Sequence, residues 1–328
     1  MRAWRVEELG HPSSAMVLRD DVDAPVPGPG QVHIRVDAGN VNFADILLCQ
    51  GIYQDRPGVP FTPGLETCGT VLAVGDGVDL PIGARIGGMA ALPAGGYAEQ
   101  ALVRARTALV MPDDIPAVDA TVLYSTFQTS HVGLHHRGRL QAGEWLLVHG
   151  AAAGVGAAAV QLGVAAGAKV IATAGGPAKC AHVRGLGAHH VLDHTTDDVY
   201  AAVQDLTGGR GVDVAYDPVG GDLGDLTRRL MAWEGRLVVV GFASGRIPNH
   251  PANHVLVKNY SVVGIHWGAY VEHGGRAVIE AAHDDLLRLY RAGSIRSDVT
   301  DTVPLDGVVA ALEALEARSV TGRLVVTP

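Results

Sequence analysis

The sequence predicts an α/β protein in which a doubly wound, parallel-sheet domain is inserted in a mainly β domain built from both ends of the chain. Three observations carry this expectation. Up to about residue 118 the chain reads as short strands broken by Pro and Gly. From there strands alternate with helical stretches, the pattern of parallel strands joined by right-handed crossovers. Beyond about residue 266 an amphipathic helix, a short helix and a last strand return to a different grammar. The expected boundaries are 1–121, 122–266 and 267–328.

In the first part, alternating runs at 32–36, 69–74 and 97–103 predict strands, with turns at 25–30 and at Gly75-Asp76-Gly77. Their spacing suggests a compact, partly closed β domain. In the middle part, apolar runs at 146–149, 170–174, 191–194, 212–216, 236–240 and 261–265 predict six buried parallel strands. Helices are expected over 157–166 and 178–186. In the tail, helices are expected over 277–291 and 307–317, and a strand over 323–326.

Bulk properties exclude several classes. The 328 residues are 48% hydrophobic and 18% charged, which is neither disordered nor fibrous. A formal net charge of −9 repels phosphate, so no nucleic acid is expected as a partner. Cys49, Cys68 and Cys180 are too few for a disulfide framework and fit a reducing cytoplasm. No signal peptide or membrane span is visible: the Ala/Gly/Val run at 151–170 is interrupted by glycines and Lys169 and reads as a buried helix. A soluble, cytoplasmic protein is expected.

The strongest chemical signal is Val148-His149-Gly150-Ala151-Ala152-Ala153-Gly154-Val155-Gly156-Ala157, which follows a buried strand and opens a helix. Small residues there let the backbone approach a pyrophosphate, and the helix N-terminus stabilises its charge. Close helix–sheet packing without a ligand is the competing reading. With the strand–helix alternation that follows, the context favours a dinucleotide, held by Ala152, Ala153, Gly154 and Val155.

The loop, with Ala158-Ala159-Val160-Gln161-Leu162, resembles that of the zeta-crystallin-type quinone oxidoreductases of the medium-chain dehydrogenase/reductase superfamily. Asn40-Val41-Asn42-Phe43-Ala44-Asp45, Pro63-Gly64-Leu65-Glu66-Thr67-Cys68-Gly69, Asp217-Pro218-Val219-Gly220-Gly221 and Val240-Gly241-Phe242-Ala243-Ser244-Gly245 resemble further segments of that family, in the same order along the chain. The resemblance implies a GroES-like catalytic domain carrying an inserted Rossmann domain. Ala153 stands where the family usually has Gly.

An NAD-specific fold ends its second strand in an acid that binds the ribose 2′-hydroxyl. Here the strand runs into Thr173-Ala174-Gly175-Gly176-Pro177-Ala178-Lys179, without an acid and with a cation close by, which favours NADPH. By resemblance, Lys179 is the 2′-phosphate lysine, Gly175 and His194 belong to the cofactor site, with His194 where relatives often have Tyr, and Arg318 reaches the cofactor from the C-terminal segment. The resemblance also places Thr126, Gly241, Phe242 and Ser244 beside the nicotinamide. A solvated lysine on a helix face is the plain alternative for Lys179.

Fifteen histidines invite a metal hypothesis. Where zinc members of the superfamily place ligands, this chain has Asn42 and Gly64-Leu65-Glu66, and leucine cannot coordinate zinc. No cysteine lies between Cys68 and Cys180, and the pairs His135-His136 and His189-His190 read as surface or loop histidines. No metal is expected. Hydride transfer then rests on positioning and polar stabilisation, to which a quinone or similar enone-type acceptor is suited. Asn42 and Tyr53 are the candidate donors to a developing oxyanion. Asp45 is a third candidate, with orientation of its own loop as the alternative; turn capping is the alternative for Asn42. Two other functions compete: an NADPH-dependent enoyl reductase, which Asn42-Phe43-Ala44-Asp45 and the Ala-rich loop also resemble, and a cofactor-binding protein without turnover. The joint presence of Asn42, Tyr53 and Lys179 argues against the last. A homodimer is expected through the edge strand at 261–265, as in relatives.

Overall fold

The computed structural model describes residues 1–328. The chain forms two compact units, Met1–Ser125 with Val299–Pro328, and Thr126–Asp298.

In the first unit, hydrogen-bonded strands follow the order Val299–Pro304, Arg323–Thr327, Gln31–Asn40, Glu66–Val74, Arg85–Met89 and Leu109–Val110, and Gln100–Arg104 pairs with Gln31–Asn40. A bridge between Ala90 and Val103 draws two of these strands together, which partly closes the sheet. Alternation sends Val32, Ile34 and Val36 inward against Val71, Ile86, Ala101 and Val103, while Arg35 points out. A second core joins the helix Phe43–Cys49 to the helix Val308–Glu316 through Ile46, Leu48, Val308, Leu312 and Val326. That shared core is why the two ends of the chain form one unit.

The second unit holds a six-stranded parallel sheet in the order His190–Asp193, Lys169–Ala174, Trp145–Val148, Val212–Asp217, Met231–Val239, Ser261–Gly264. All six strands coincide with expected runs. Leu147, Ile171, Val212, Ala215 and Leu237 form the buried middle of the sheet. Strand order reverses between Trp145–Val148 and Val212–Asp217, so the loops after these two strands open a crevice at the carboxyl edge, where doubly wound folds bind ligands.

Two expectations need correction. Residues 267–298 were expected with the β domain, yet they pack within the second unit. The helix Arg276–Arg291 buries Ile279, Ala282, Leu286 and Leu289, and its Asp285 Oδ2 lies 2.9 Å from His131 Nε2 on the helix Gln128–His131. An amphipathic pattern states that one face is buried but not against what. His135, expected as a surface or loop histidine, is half-buried on a π-helical turn with its ring 4.6 Å from that of His131, and burial lowers its pKa to about 4. No helix is long and apolar enough to cross a membrane.

Candidate functional site

The loop after Trp145–Val148 is shaped by close backbone approach. A Cβ on Gly156 would lie 2.2 Å from Gly150 O, so only hydrogen fits there, and Gly154 opens its helix at φ +53°, a left-handed conformation that favours glycine. Ala153 has φ −159°, extended backbone that any residue adopts, so its extra methyl introduces no backbone strain. Ala151 N donates to Thr173 O at 3.1 Å, and Ser130 Oγ donates to Val155 O at 2.8 Å. Ala152 is buried. The helix Gly154–Ala165 has no acid in its first turn and no side-chain cap, which leaves its positive end for an anion. This cradle fits a dinucleotide pyrophosphate.

Beneath the loop lies a group that sequence reasoning passed over. His149 is fully buried, with Nδ1 2.9 Å from Thr173 Oγ1 and Nε2 2.7 Å from Thr227 Oγ1. The Thr227 hydroxyl donates its hydrogen to Leu223 O, so Nε2 carries the ring proton and Nδ1 accepts from Thr173. Burial lowers the His149 pKa and keeps this ring neutral. The ends of two strands and one helix are thereby tied together under the turn.

At the end of the second strand, a Cβ on Gly175 would lie 3.1 Å from His194 Nε2, so the exposed His194 ring sits over this glycine. Lys179 is half-buried in the first turns of Pro177–Gly185. An acid does reach this corner, from the neighbouring strand. Asp193 Oδ1 accepts from Gly176 N at 3.0 Å, Thr195 N at 3.0 Å and Thr195 Oγ1 at 2.6 Å. The Gly176 amide foremost, with Thr195, holds the Asp193 carboxyl below its usual range. The carboxylate braces the turn. Residue spacing along one strand could not reveal it, because the acid belongs to the adjacent strand.

Across the crevice, Asp217 Oδ1 accepts from Val219 N and Gly220 N, both at 2.9 Å. Ala243 N donates to Pro218 O at 3.1 Å and Ser244 N to Val219 O at 2.9 Å, so Ser244 pairs with this loop and Gly241 and Phe242 lie against it. Phe242 is 42% exposed, available to a ligand. Thr126 is buried on the π-helical turn Leu123–Phe127, with its carbonyl oxygen 3.2 Å from Ser130 Oγ. Arg318 belongs to the first unit, where it is exposed just beyond the helix Val308–Glu316 at φ +55°.

In the first unit, the remaining candidates surround Glu66. Asn42 is half-buried at the start of Phe43–Cys49; its Nδ2 donates to Glu66 Oε2 at 2.8 Å, and Arg323 Nη2 donates to its Oδ1 at 2.7 Å. Asn40 Nδ2 and the Ser125 hydroxyl donate to the same Glu66 oxygen. Asn40, Glu66 and Arg323 went unassigned in the sequence, since their meeting depends on three separate strands. Asp45 is fully buried: its carboxylate accepts from Leu65 N at 2.9 Å, Tyr97 Oη at 2.9 Å and Asn42 N at 3.2 Å. Those three bonds tie Asp45 to its own loop and to the neighbouring core, with no face toward solvent. Tyr53 packs half-buried against the same core. Burial, then the charges of Glu66 and Asp45, push its phenol up to about 12, so it remains a hydrogen-bond donor at neutral pH. No three His, Cys, Asp or Glu side chains converge as a metal-ligating group.

A Rossmann unit with a dinucleotide cradle and a β unit carrying a carboxamide–carboxylate cluster define the two-domain dehydrogenase/reductase class. Residues 28–113 match the alcohol dehydrogenase GroES-like domain family, and residues 154–284 match the zinc-binding dehydrogenase family. The quinone oxidoreductase-like protein 2 homolog of Nematostella vectensis is 36% identical over 99% of this chain and 88% of its own length. The quinone oxidoreductase of Rattus norvegicus is 35% identical over 81% of this chain and 80% of its own. The structure of Escherichia coli quinone oxidoreductase complexed with NADPH superposes with a TM-score of 0.91 at 27% identity, covering 100% of both chains. The chain belongs to the zinc-independent quinone oxidoreductase family of the medium-chain dehydrogenase/reductases.

Proposed function

We propose that the protein is an NADPH-dependent quinone oxidoreductase, reducing a quinone or similar electrophilic carbonyl acceptor without zinc. The observation that carries this reading is Asn42, a carboxamide held between a guanidinium and a carboxylate. NADPH, when bound, supplies the hydride. Ala152, Ala153, Gly154 and Val155 hold its pyrophosphate, Lys179, His194 and Gly175 its 2′-phosphate end, and Thr126, Gly241, Phe242 and Ser244 its nicotinamide end; Arg318 contributes from the C-terminal segment. Charge that develops on the acceptor oxygen is met by hydrogen bonds from Asn42 Nδ2, held in place by Arg323 and Glu66 before the reaction, and from the protonated Tyr53 phenol. Asp45 shapes the loop that carries Asn42 and touches no substrate.

Purified protein with NADPH and a panel of quinones and enoyl thioesters tests this directly. Quinone-dependent NADPH oxidation that persists in a strong chelator is expected, because Asn42 and the buried Leu65 occupy the ligand positions. Faster turnover of enoyl thioesters, or about one zinc per chain lost together with activity, would overturn it.

A cytoplasmic homodimer is part of this reading. Cys49, Cys68 and Cys180 are free and buried, which suits a reducing compartment. The edge strand Ser261–Gly264 is largely exposed, with Val262 41% exposed within it and Leu256 and Val257 of the preceding helix Ala252–Lys258 78% and 75% exposed. An uncovered apolar β-edge recruits a partner. Light scattering at micromolar concentration should return twice the 34.0 kDa chain mass; a monomer would count against the interface.

A further inference from the structure

Asn42 is committed at both ends of its amide before any acceptor arrives. Arg323 Nη2 lies 2.7 Å from Asn42 Oδ1, and Asn42 Nδ2 lies 2.8 Å from Glu66 Oε2. A guanidinium only donates and a carboxylate only accepts, so the two partners determine which end of the amide is oxygen. One Nδ2 hydrogen goes to Glu66, and the other remains for the acceptor. Glu66 cannot swing to follow a misplaced amide. Its Oε2 also accepts from Asn40 Nδ2 at 3.0 Å and from the Ser125 hydroxyl, and Asn40 is fully buried and further tied to Thr121 O at 2.9 Å. Arg323 is equally constrained. It is 8% exposed at the start of Arg323–Thr327, whose neighbour Leu324 O accepts from Val41 N at 3.3 Å, next to Asn42. Backbone pairing beside the side-chain contact removes slack between the two residues.

We infer that Arg323 is a positioning residue for acceptor reduction, holding the Asn42 carboxamide against Glu66 so that its second N–H meets the acceptor oxygen. This rests on the reading of Asn42 as a donor to the acceptor. The terminal torsion of an Asn side chain is broad, so an amide held only at its nitrogen end loses its aim. The positive charge at Oδ1 also polarises the amide and strengthens its N–H donors.

The test is a double-mutant cycle on the purified full-length protein, with kcat, KM for the quinone, NADPH affinity by fluorescence titration and the thermal midpoint all measured. Loss of one charge-assisted contact predicts that Arg323→Met lowers kcat by about tenfold or more, with NADPH affinity changed by less than about twofold. Arg323→Lys keeps the charge and should recover kcat to within about threefold of wild type. In an Asn42→Ala background, Arg323→Met should change kcat by less than about twofold, because the residue it positions is gone. Equal losses in both backgrounds, or a matching loss of NADPH affinity and thermal midpoint, would make Arg323 a structural residue only. If Asn42→Ala itself leaves kcat intact, the donor role of Asn42 fails, and the positioning role falls with it.

Discussion

Lys179→Ala is expected to raise the KM for NADPH roughly 5- to 150-fold while leaving that for NADH nearly unchanged. A charge-assisted contact of a lysine with a phosphate at a partly exposed site is worth about 1–3 kcal/mol, which spans that range. The structure places Lys179 half-buried one turn into the helix that follows Gly175 and Gly176, with the His194 ring over Gly175. Asp193 adds negative charge at the same corner, although its Oδ1 is taken up by Gly176 and Thr195. Discrimination between the two cofactors should therefore depend strongly on the lysine, and it should weaken as salt rises. Steady-state kinetics with both cofactors at two ionic strengths decide the matter. Equal weakening of NADPH and NADH would mark Lys179 as structural. Wild-type protein that uses NADH as well as NADPH would mean that the missing strand-end acid merely permits the phosphate.

Asp45→Ala is expected to destabilise the first unit by about 2–4 kcal/mol, because it strands two backbone donors and leaves the buried Tyr97 hydroxyl one acceptor instead of two. Those backbone donors are the buried Leu65 N and the half-buried Asn42 N, while Tyr97 Oη keeps Asn40 O at 3.1 Å. Urea unfolding of wild type and variant measures the loss; a change below about 1 kcal/mol would show that the loop relaxes around the gap. The same carboxyl predicts a pH signature. Burial pushes it up from 3.8 to about 7, so the native state holds its proton more tightly than the unfolded chain does. Its stabilising contribution is full below about pH 4 and is lost as pH rises toward about 7. Both protonation states find partners. The ionised carboxylate accepts from Tyr97 Oη; the protonated one can donate to it while Tyr97 turns its own hydrogen to Asn40 O, 3.1 Å away. Asp45→Asn should flatten the profile across that window, and parallel profiles for wild type and Asn variant would contradict the raised pKa.

Asp45 also shows where reading residues in order stops. The segment Asn42-Phe43-Ala44-Asp45 drew attention to the right loop, and an Asx residue three positions into a helix suggested either chemistry or a cap. Which of the two holds depended on Tyr97 and Leu65, residues 52 and 20 positions away. Similarly, the histidine before the glycine loop gave no signal of its own. Its importance comes from Thr173 and Thr227, brought to its two nitrogens by a neighbouring strand and by a helix 78 positions further on.

What the amino-acid order determined by itself was everything governed by local sterics and short periods. The six parallel strands follow from apolar runs, the partly closed β unit from alternation and turns, and the dinucleotide turn from small residues where Gly156 can tolerate no side chain. The missing acid at Ala174-Gly175-Gly176 and the non-ligand Leu65 were equally plain, since each is a statement about one position. Tertiary structure alone decided the partners. It put residues 267–298 with the second unit, brought Asp193 to a turn on the neighbouring strand, and set Arg323 against Asn42 across 281 positions. Local periodicity records that a face will be buried or a donor satisfied. Which distant group does so depends on how the elements pack, and that information is distributed over the whole chain.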